Sequence, residues 1–412
     1  MNLQAKWKKS KSLKPKVILD KIDSLVTVSN GTTSYSSFEF HDAKTALESM
    51  INFPLVARYL DKNKLISSAI REVANNKPSD PRIFIDQIST NIREVLEKRN
   101  NQYFLLTSIS ISNIGIRFIK LNDCVIKFYK SSFPRKFKGR DSLIKNKRNC
   151  SEIESLGYTK VVIELSAKSE EMAAAQALRI LDLFRSMLNL FSNNISEYIG
   201  NEWNPINKIR LGEFHTVHDS TGKVYADMFW FDPSYSVASV YVSNNIPIIL
   251  KNVKFIITNL EKSGRRYKSI LTDGLLRYVR SFDENNQNVA VMRAWGALET
   301  IAAPNETNCD SVTRRCSFLY EEHEYHKQIL EHLREYRNRN VHAGEESKKA
   351  KNHGFQIQRY FKGLLLFHIS NVGYFSDIEE ANKFLDLPAD KSSLLKRQKL
   401  LKRAFSFRGY DA

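Results

Sequence analysis

The chain has 412 residues, 42% of them hydrophobic, so it has room for two or three folded domains and is not a disordered protein. It contains 63 Lys and Arg against 45 Asp and Glu, a formal net charge of +18. This charge predicts a polyanionic partner, with RNA or DNA ahead of an anionic membrane surface. A general enrichment of lysine in the source genome is the alternative explanation.

The cysteines and the apolar segments predict a soluble, cytoplasmic protein. Cys124, Cys150, Cys309 and Cys316 form no dense disulfide pattern, which favours a reducing compartment. The lysine-rich start is not followed by the apolar segment of a signal peptide. The longest apolar run, 364–367, is far too short to span a bilayer.

Residues 1–130 have the pattern of a mainly β region. Short runs of β-branched and aromatic residues predict strands at 17–19, 25–28, 34–40, 105–111 and 125–129. Asn30-Gly31 predicts a hairpin turn between two of them. Two helices are expected within this region, over 43–60 and 81–99.

Residues 130–150 hold the densest cationic run of the chain, with Phe133 and Phe137 among the charges. Aromatic rings between cations are typical of a groove for single-stranded nucleic acid, where rings stack on bases and cations contact phosphates. The alternative interpretation is a solvated loop. The candidate RNA contacts are Arg135, Lys136, Lys138 and Arg140.

A strand is predicted at 158–167, followed by a helix at 169–191 that Ser169 caps. Residues 195–260 are interpreted as strands and turns, with 224–231 and 237–242 the better strands and a turn at 232–234. The polar segment 263–268 is taken as a domain boundary. The expected division is a β-rich α+β region, 1–264, which could split near 150–195, and an all-α domain, 265–412.

From residue 270 the hydrophobic period is helical, so the complete chain is predicted to be an α+β protein with a C-terminal helical bundle. The expected helices are 270–282, 288–303, 311–322, 325–339, 347–373, 376–385 and 389–405. The last of these has a basic amphipathic pattern, which suits packing on the bundle or contact with RNA or a membrane.

Trp295 is expected in the core, with Glu299 one turn further on the same side of its helix. A carboxylate at that position requires a cation. The available partners are Arg314, Arg315 and Arg337. The contact would be a structural salt bridge or would orient a catalytic arginine.

The segment Arg337-Asn338-Arg339-Asn340-Val341-His342 combines a permanent cation, two carboxamides and a titratable imidazole. The helix with Trp295 and Glu299, an arginine-bearing helix and Tyr336 precede it. This order, over roughly residues 265–405, resembles the HEPN domain in its ApeA-like branch, found in prokaryotic antiviral defence proteins.

The resemblance implies a toxic effector that cleaves RNA, with tRNA among the candidates, without a metal or other cofactor. His342 would act as general acid or base and Arg337 would stabilise the transition state, with Asn338 beside them. Asn340, Glu299, Arg314 and Tyr336 would support the site, Tyr336 by stacking on a base or by packing. Activation by a phage-derived or antitoxin protein is a further expectation.

Helix geometry limits how Arg337 and His342 can cooperate. Five residues turn an α-helix by about 500°, so the two side chains stand roughly 140° apart on a straight helix. Either the helix breaks near Asn340, which Gly344 permits, or a second copy of the motif completes the site. The resemblance implies a homodimer or higher oligomer in which two motifs face one cleft.

Two other interpretations stay open at this point. The chain could be a non-catalytic module that binds RNA or a protein and carries an inert motif. A zinc site from Cys309, Cys316, His323 and His326 is not expected, because their spacing is explained by one helix face. No metal site is therefore predicted.

Overall fold

The computed structural model describes residues 3–29, 32–35, 38–74, 80–148, 157–197, 204–231, 235–304, 306 and 310–410. It is an α+β protein with sheets in the N-terminal part and helices in the C-terminal part, as predicted. The predicted turns at 30–31 and 232–234 lie outside the described residues.

The first hundred residues are mainly helical, so the prediction of a mainly β region is wrong there. The elements are β1 (Lys6–Trp7), α1 (Pro15–Leu25), β2 (Val26–Ser29), β3 (Thr32–Tyr35), α2 (Glu39–Met50), β4 (Ile51–Asn52), α3 (Lys62–Val73) and α4 (Pro81–Glu97). β1 pairs with β4 and β2 with β3, both antiparallel. A separate hydrophobic cluster, running from Ala5 to Ile92, fills this N-terminal helical unit.

Three local predictions failed here for identifiable reasons. The strand expected at 17–19 lies inside α1, where Leu19, Ile22 and Leu25 are buried at three-residue spacing. The strand expected at 34–40 gives way to α2 from Glu39. The helix expected at 43–60 ends at Met50, ahead of Pro54, a residue that disfavours helical backbone before it. α4 confirms the second predicted helix.

A six-stranded antiparallel sheet follows, in the order β10-β9-β5-β8-β7-β6. Its strands are β5 (Asn101–Ile109), β6 (Phe118–Leu121), β7 (Cys124–Tyr129), β8 (Thr159–Ala167), β9 (Phe214–His218) and β10 (Val224–Phe231). The long helix α6 (Glu170–Ser192) packs against one face, and the Ser169 hydroxyl accepts the Met172 N–H at 3.2 Å, which confirms the predicted cap.

The cationic segment covers part of the opposite face of this sheet. It forms a 3-10 turn over Arg135–Phe137 and then α5 (Gly139–Arg148). Phe137 is buried in a small cluster with Phe104, Leu106 and Val162 of the sheet. The segment is therefore anchored, unlike the solvated loop of the alternative interpretation.

A long helix, α7 (Ile246–Lys262), lies where strands and turns were predicted. Its buried residues have helical spacing and include Ile249, Val253, Ile256 and Leu260. Among residues 237–242, expected as a strand, Tyr241 forms an isolated bridge to Ile111. The many isoleucines raised the strand propensity, but burial of one helix face decided the structure.

All seven predicted C-terminal helices are confirmed. They are α8 (Arg265–Phe282), α9 (Gln287–Ala302), α10 (Asp310–Ser317), α11 (His323–Ala343), α12 (Ala350–Ser370), α13 (Ile378–Leu385) and α14 (Lys391–Arg408). Trp295 is fully buried, as expected. Only Ser263 and Gly264 lie between α7 and α8, and one continuous hydrophobic core, from Tyr103 to Leu385, extends across the predicted boundary at 263–268.

α14 differs from the other long helices because none of its residues is buried. Leu400 is 67% exposed, Leu401 61% and Phe407 86%. The expectation that its leucines pack on the bundle is therefore wrong. None of the helices in the described ranges is long and apolar enough to cross a bilayer.

Candidate functional site

The centre of the candidate site is a contact between α9 and α11. The indole N–H of Trp295 donates to Glu299 Oε1 at 2.8 Å. The same carboxylate oxygen lies 3.5 Å from Arg337 Nη2. Of the three arginines that the sequence offered as partners of Glu299, the structure thus selects Arg337, and the buried indole fixes the carboxylate that holds it.

The guanidinium of Arg337 is held and still accessible. Its Nη1 donates to Asn338 Oδ1 at 3.1 Å, so a neutral carboxamide adds to the charged contact from Glu299. The side chain of Arg337 is 28% exposed and that of Glu299 is 26% exposed. A planar cation in this position can contact an oxyanion from solvent without losing its support.

The helix that carries the motif is continuous. α11 runs through Asn340 to Ala343 and ends at Gly344, which has φ of +66° and donates its N–H to the Asn340 carbonyl at 3.0 Å. A residue with a side chain would be strained at this backbone conformation. The alternative of a helix break near Asn340 is therefore wrong, and the separation of roughly 140° between Arg337 and His342 holds within one chain.

His342 lies on the exposed side of α11. The row that faces the core contains Leu333, Tyr336 and Asn340, and His342 stands roughly opposite to this row. No hydrogen-bond partner of the imidazole is found in the described part of the chain. One chain thus presents a supported arginine and an exposed histidine on different sides of the same helix end.

Asn340 stabilises the turn after the helix and does not face a ligand. It is 9% exposed, and its Nδ2 donates to the Glu345 carbonyl. Arg339 Nε lies 2.7 Å from a carboxylate oxygen of the same Glu345. The expected hydrogen bond from Asn340 to a phosphate or to the imidazole is therefore corrected to a structural role.

Tyr336 packs and does not present its ring for base stacking, because it is 2% exposed. Burial raises the pKa of its hydroxyl, which donates to Asn288 Oδ1. The Ser347 N–H donates to the same oxygen at 3.0 Å. Asn288 thus ties the start of α9 to α11 and to the turn that follows α11. The role of Asn288 could not be predicted from the sequence, because it depends on a contact between distant elements.

Arg314 lies outside this network, which corrects its predicted supporting role. Its Nη2 is 2.8 Å from Asp386 Oδ1. The neighbouring Arg315 is 6% exposed and lies 2.7 Å from the other oxygen of Asp386. Burial raises the pKa of Asp386, whereas the hydrogen bonds and charges of the two arginines lower it. The net result is a pKa below the usual value for an aspartate. Both arginines link α10 to the end of α13.

The predicted RNA contacts of the cationic segment divide into two groups. Arg135, Lys136 and Lys138 are exposed, and Lys136 Nζ lies 4.1 Å from the centre of the Phe104 ring. Arg140 is 1% exposed and donates to the Phe214 carbonyl at 3.3 Å. Arg140 is thus a structural residue, which corrects its assignment as a phosphate contact.

The phenylalanines of this segment are not free stacking platforms. Phe137 is 2% exposed, and the guanidinium of Arg140 lies 4.8 Å from the centre of the Phe133 ring. The segment therefore offers exposed charge, but not the open aromatic surface that the sequence pattern suggested.

No group of three or more His, Cys, Asp and Glu that could hold a metal ion is found within the described ranges, which do not include Cys309. Comparisons of the chain with protein-family models, with curated proteins and with solved structures give no match.

Proposed function

We propose that this protein is a metal-independent endoribonuclease that uses Arg337 and His342. The observation that carries the proposal is the contact chain from Trp295 through Glu299 to Arg337. It holds a partly exposed guanidinium near the end of the helix on which the exposed His342 also lies. The resemblance to HEPN domains, drawn from the same residues, supports the choice of RNA as substrate.

The chemistry uses a nucleophile that belongs to the substrate. The 2′-hydroxyl of RNA attacks the adjacent phosphorus and the 5′-oxygen leaves, which gives a 2′,3′-cyclic phosphate and a 5′-hydroxyl. An imidazole can remove the proton of the 2′-hydroxyl or protonate the leaving oxygen, typically worth about 10²–10⁴ in rate. The guanidinium stabilises the charge on the phosphorane-like transition state. DNA lacks the 2′-hydroxyl and is not cleaved by this route.

The site requires two chains in this proposal. Arg337 and His342 face different sides of a continuous helix, so Arg337 of one chain acts with His342 of another in a shared cleft. The partners are thus RNA and a second copy of the chain.

The biological role follows from the resemblance and belongs to the same proposal. A ribonuclease of this kind acts as a toxic effector in cytoplasmic antiviral defence, with tRNA among its candidate substrates. A phage-derived or antitoxin protein would control its activity.

The second candidate is a non-catalytic RNA-binding or protein-interaction module. The separation of Arg337 and His342 within one chain favours it if the protein stays monomeric. The two candidates are distinguished with labelled RNA in excess EDTA, using the wild type, Arg337→Ala and His342→Ala. The nuclease proposal expects both variants to lose cleavage while RNA affinity changes little. Equal cleavage by all three proteins would overturn it.

A further inference from the structure

An open cleft of about 510 Å³ lies where the N-terminal helical unit meets α6, α8 and α9. It is separate from the exposed cations of the 135–138 segment. Four arginines from three parts of the chain line it: Arg58, Arg179, Arg266 and Arg277. The acidic side chains in its lining are Asp273 and Glu299, so the described lining carries a net positive charge of 4 − 2 = +2.

Arg179 on α6 is the key residue of the cleft. It is partly buried, and the described residues give it neither a hydrogen bond nor an ion pair. Burial, and then the charge of Arg58, lower the pKa of its guanidinium. An anion that enters the cleft stabilises such a cation, because a partly buried charge without a counter-ion is unfavourable.

The other three arginines can turn to a ligand at small cost. Arg58 is exposed and lies over the ring of Tyr59, with 5.2 Å between the guanidinium and the ring centre. Arg277 pairs with Asp273 at 2.9 Å and Arg266 pairs with Glu379, but these side chains are well exposed. Exposed pairs of this kind contribute about 0–1 kcal/mol, so a stronger anion can displace them.

The shape and the remaining lining indicate the chemical class of the ligand. Arginine forks match phosphate oxygens with paired hydrogen bonds. Leu55, which is 72% exposed, and Ile270 add apolar surface for a flat ring. The volume lies within the usual range for small-molecule sites, about 300–1,000 Å³.

We infer that this cleft binds the phosphate groups of a nucleotide through Arg179 and Arg58, with Arg266 and Arg277 at its rim. The nucleotide is either free in solution or part of an RNA chain. Glu299 lines the cleft and also holds Arg337, so a bound nucleotide lies next to the support of the candidate catalytic arginine. The inference goes beyond the nuclease proposal, because phosphate binding here needs neither cleavage nor His342.

The test measures binding to full-length protein that carries His342→Ala, so that RNA is not consumed. The probes are inorganic pyrophosphate and a short single-stranded oligouridylate, each titrated at low salt by calorimetry. The test variant is Arg179→Gln, which disrupts no ion pair with any residue that the structure describes. The matched control is Arg265→Gln, because Arg265 is an exposed arginine at the start of α8 that does not line the cleft.

We expect pyrophosphate to bind, Arg179→Gln to weaken binding at least tenfold, and Arg265→Gln to leave it unchanged. If the oligouridylate loses affinity in parallel, the phosphates of an RNA chain occupy the cleft. If only pyrophosphate does, the ligand is a free nucleotide. The inference would be overturned if neither probe bound to the parent protein, or if Arg179→Gln left the affinities for both probes unchanged. Since the parent protein lacks His342, failure here leaves the nuclease proposal intact.

Discussion

Replacing Glu299 with Gln isolates the positioning of Arg337 from the folding of the helical part. The amide oxygen can still accept the Trp295 N–H, but the charge that faces Arg337 at 3.5 Å is removed. Both partners are partly exposed, so we expect the free energy of unfolding to change by only about 0–1 kcal/mol. The fold, and therefore the helix end, should survive the substitution.

The effect on cleavage should exceed the effect on stability. Removing a transition-state donor of this kind typically costs about 10²–10³ in rate, and this is the loss expected for Arg337→Ala. Glu299→Gln leaves the guanidinium present but less fixed, so we expect a smaller loss of about tenfold, or roughly 1.4 kcal/mol of transition-state stabilisation. RNA affinity should be nearly unchanged.

The assay is single-turnover cleavage of labelled RNA with enzyme in excess and EDTA present, together with urea unfolding of each variant. Arg293→Gln is the matched control, since it breaks a 2.7 Å ion pair between Arg293 of α9 and Glu284, which precedes that helix. It should cleave at the wild-type rate. A wild-type rate for Glu299→Gln, with Arg337→Ala impaired, would refute the positioning role and leave Glu299 as a structural counter-ion.

Three further outcomes are expected. Light scattering at micromolar concentration should show a dimer or larger oligomer, and a strict monomer that still cleaves RNA would contradict the two-chain site. Products formed in EDTA should carry a 2′,3′-cyclic phosphate, whereas 5′-phosphates would point to another mechanism. Replacing Arg135, Lys136 and Lys138 with Ser should flatten the salt dependence of RNA binding by about one unit of log K per log salt for each lost phosphate contact, with cleavage at saturating RNA unchanged; an unchanged slope would mean that these cations do not contact RNA.

One prediction concerns acid stability. Burial, and then the nearby arginine charges, lower the pKa of His215 to about 4 and that of His368 to about 3. The unfolded chain, with ordinary pKa values near 6.5, binds more protons as the pH falls, so stability is lost below that value. Each histidine should contribute a loss of about 2 kcal/mol between pH 7 and pH 5. Urea unfolding at both pH values measures this loss. The prediction would be contradicted if His215→Gln and His368→Gln lost as much unfolding free energy between pH 7 and pH 5 as the wild type does.

The structure was predicted most accurately where one hydrophobic period extends over a long segment of the sequence. The seven C-terminal helices and the pairing of Glu299 with a cation followed from three- and four-residue spacing, because burial of one helix face is a local property of the pattern. Strand predictions from short β-branched runs failed, as at 17–19, because a strand and a helix can bury three apolar residues equally well. The prediction that Arg140 contacts phosphate failed for a different reason. Arg140 is buried against Phe214, which is distant in sequence. Whether the helix breaks near Asn340 likewise could not be read from the sequence and needed the observed course of α11.

The continuous core has a consequence for synthesis of the chain. The Asn193 amide, at the end of α6, donates to Gln358 of α12 at 2.8 Å across 165 residues of sequence. Gln358 Oε1 also accepts the hydroxyl of Tyr278 on α8, so α12 contributes contacts to both α6 and α8. α12 follows the motif helix, and a nascent chain therefore exposes Arg337 and His342 before their scaffold is closed. Any function of the motif that depends on the folded core therefore has to await translation of at least α12.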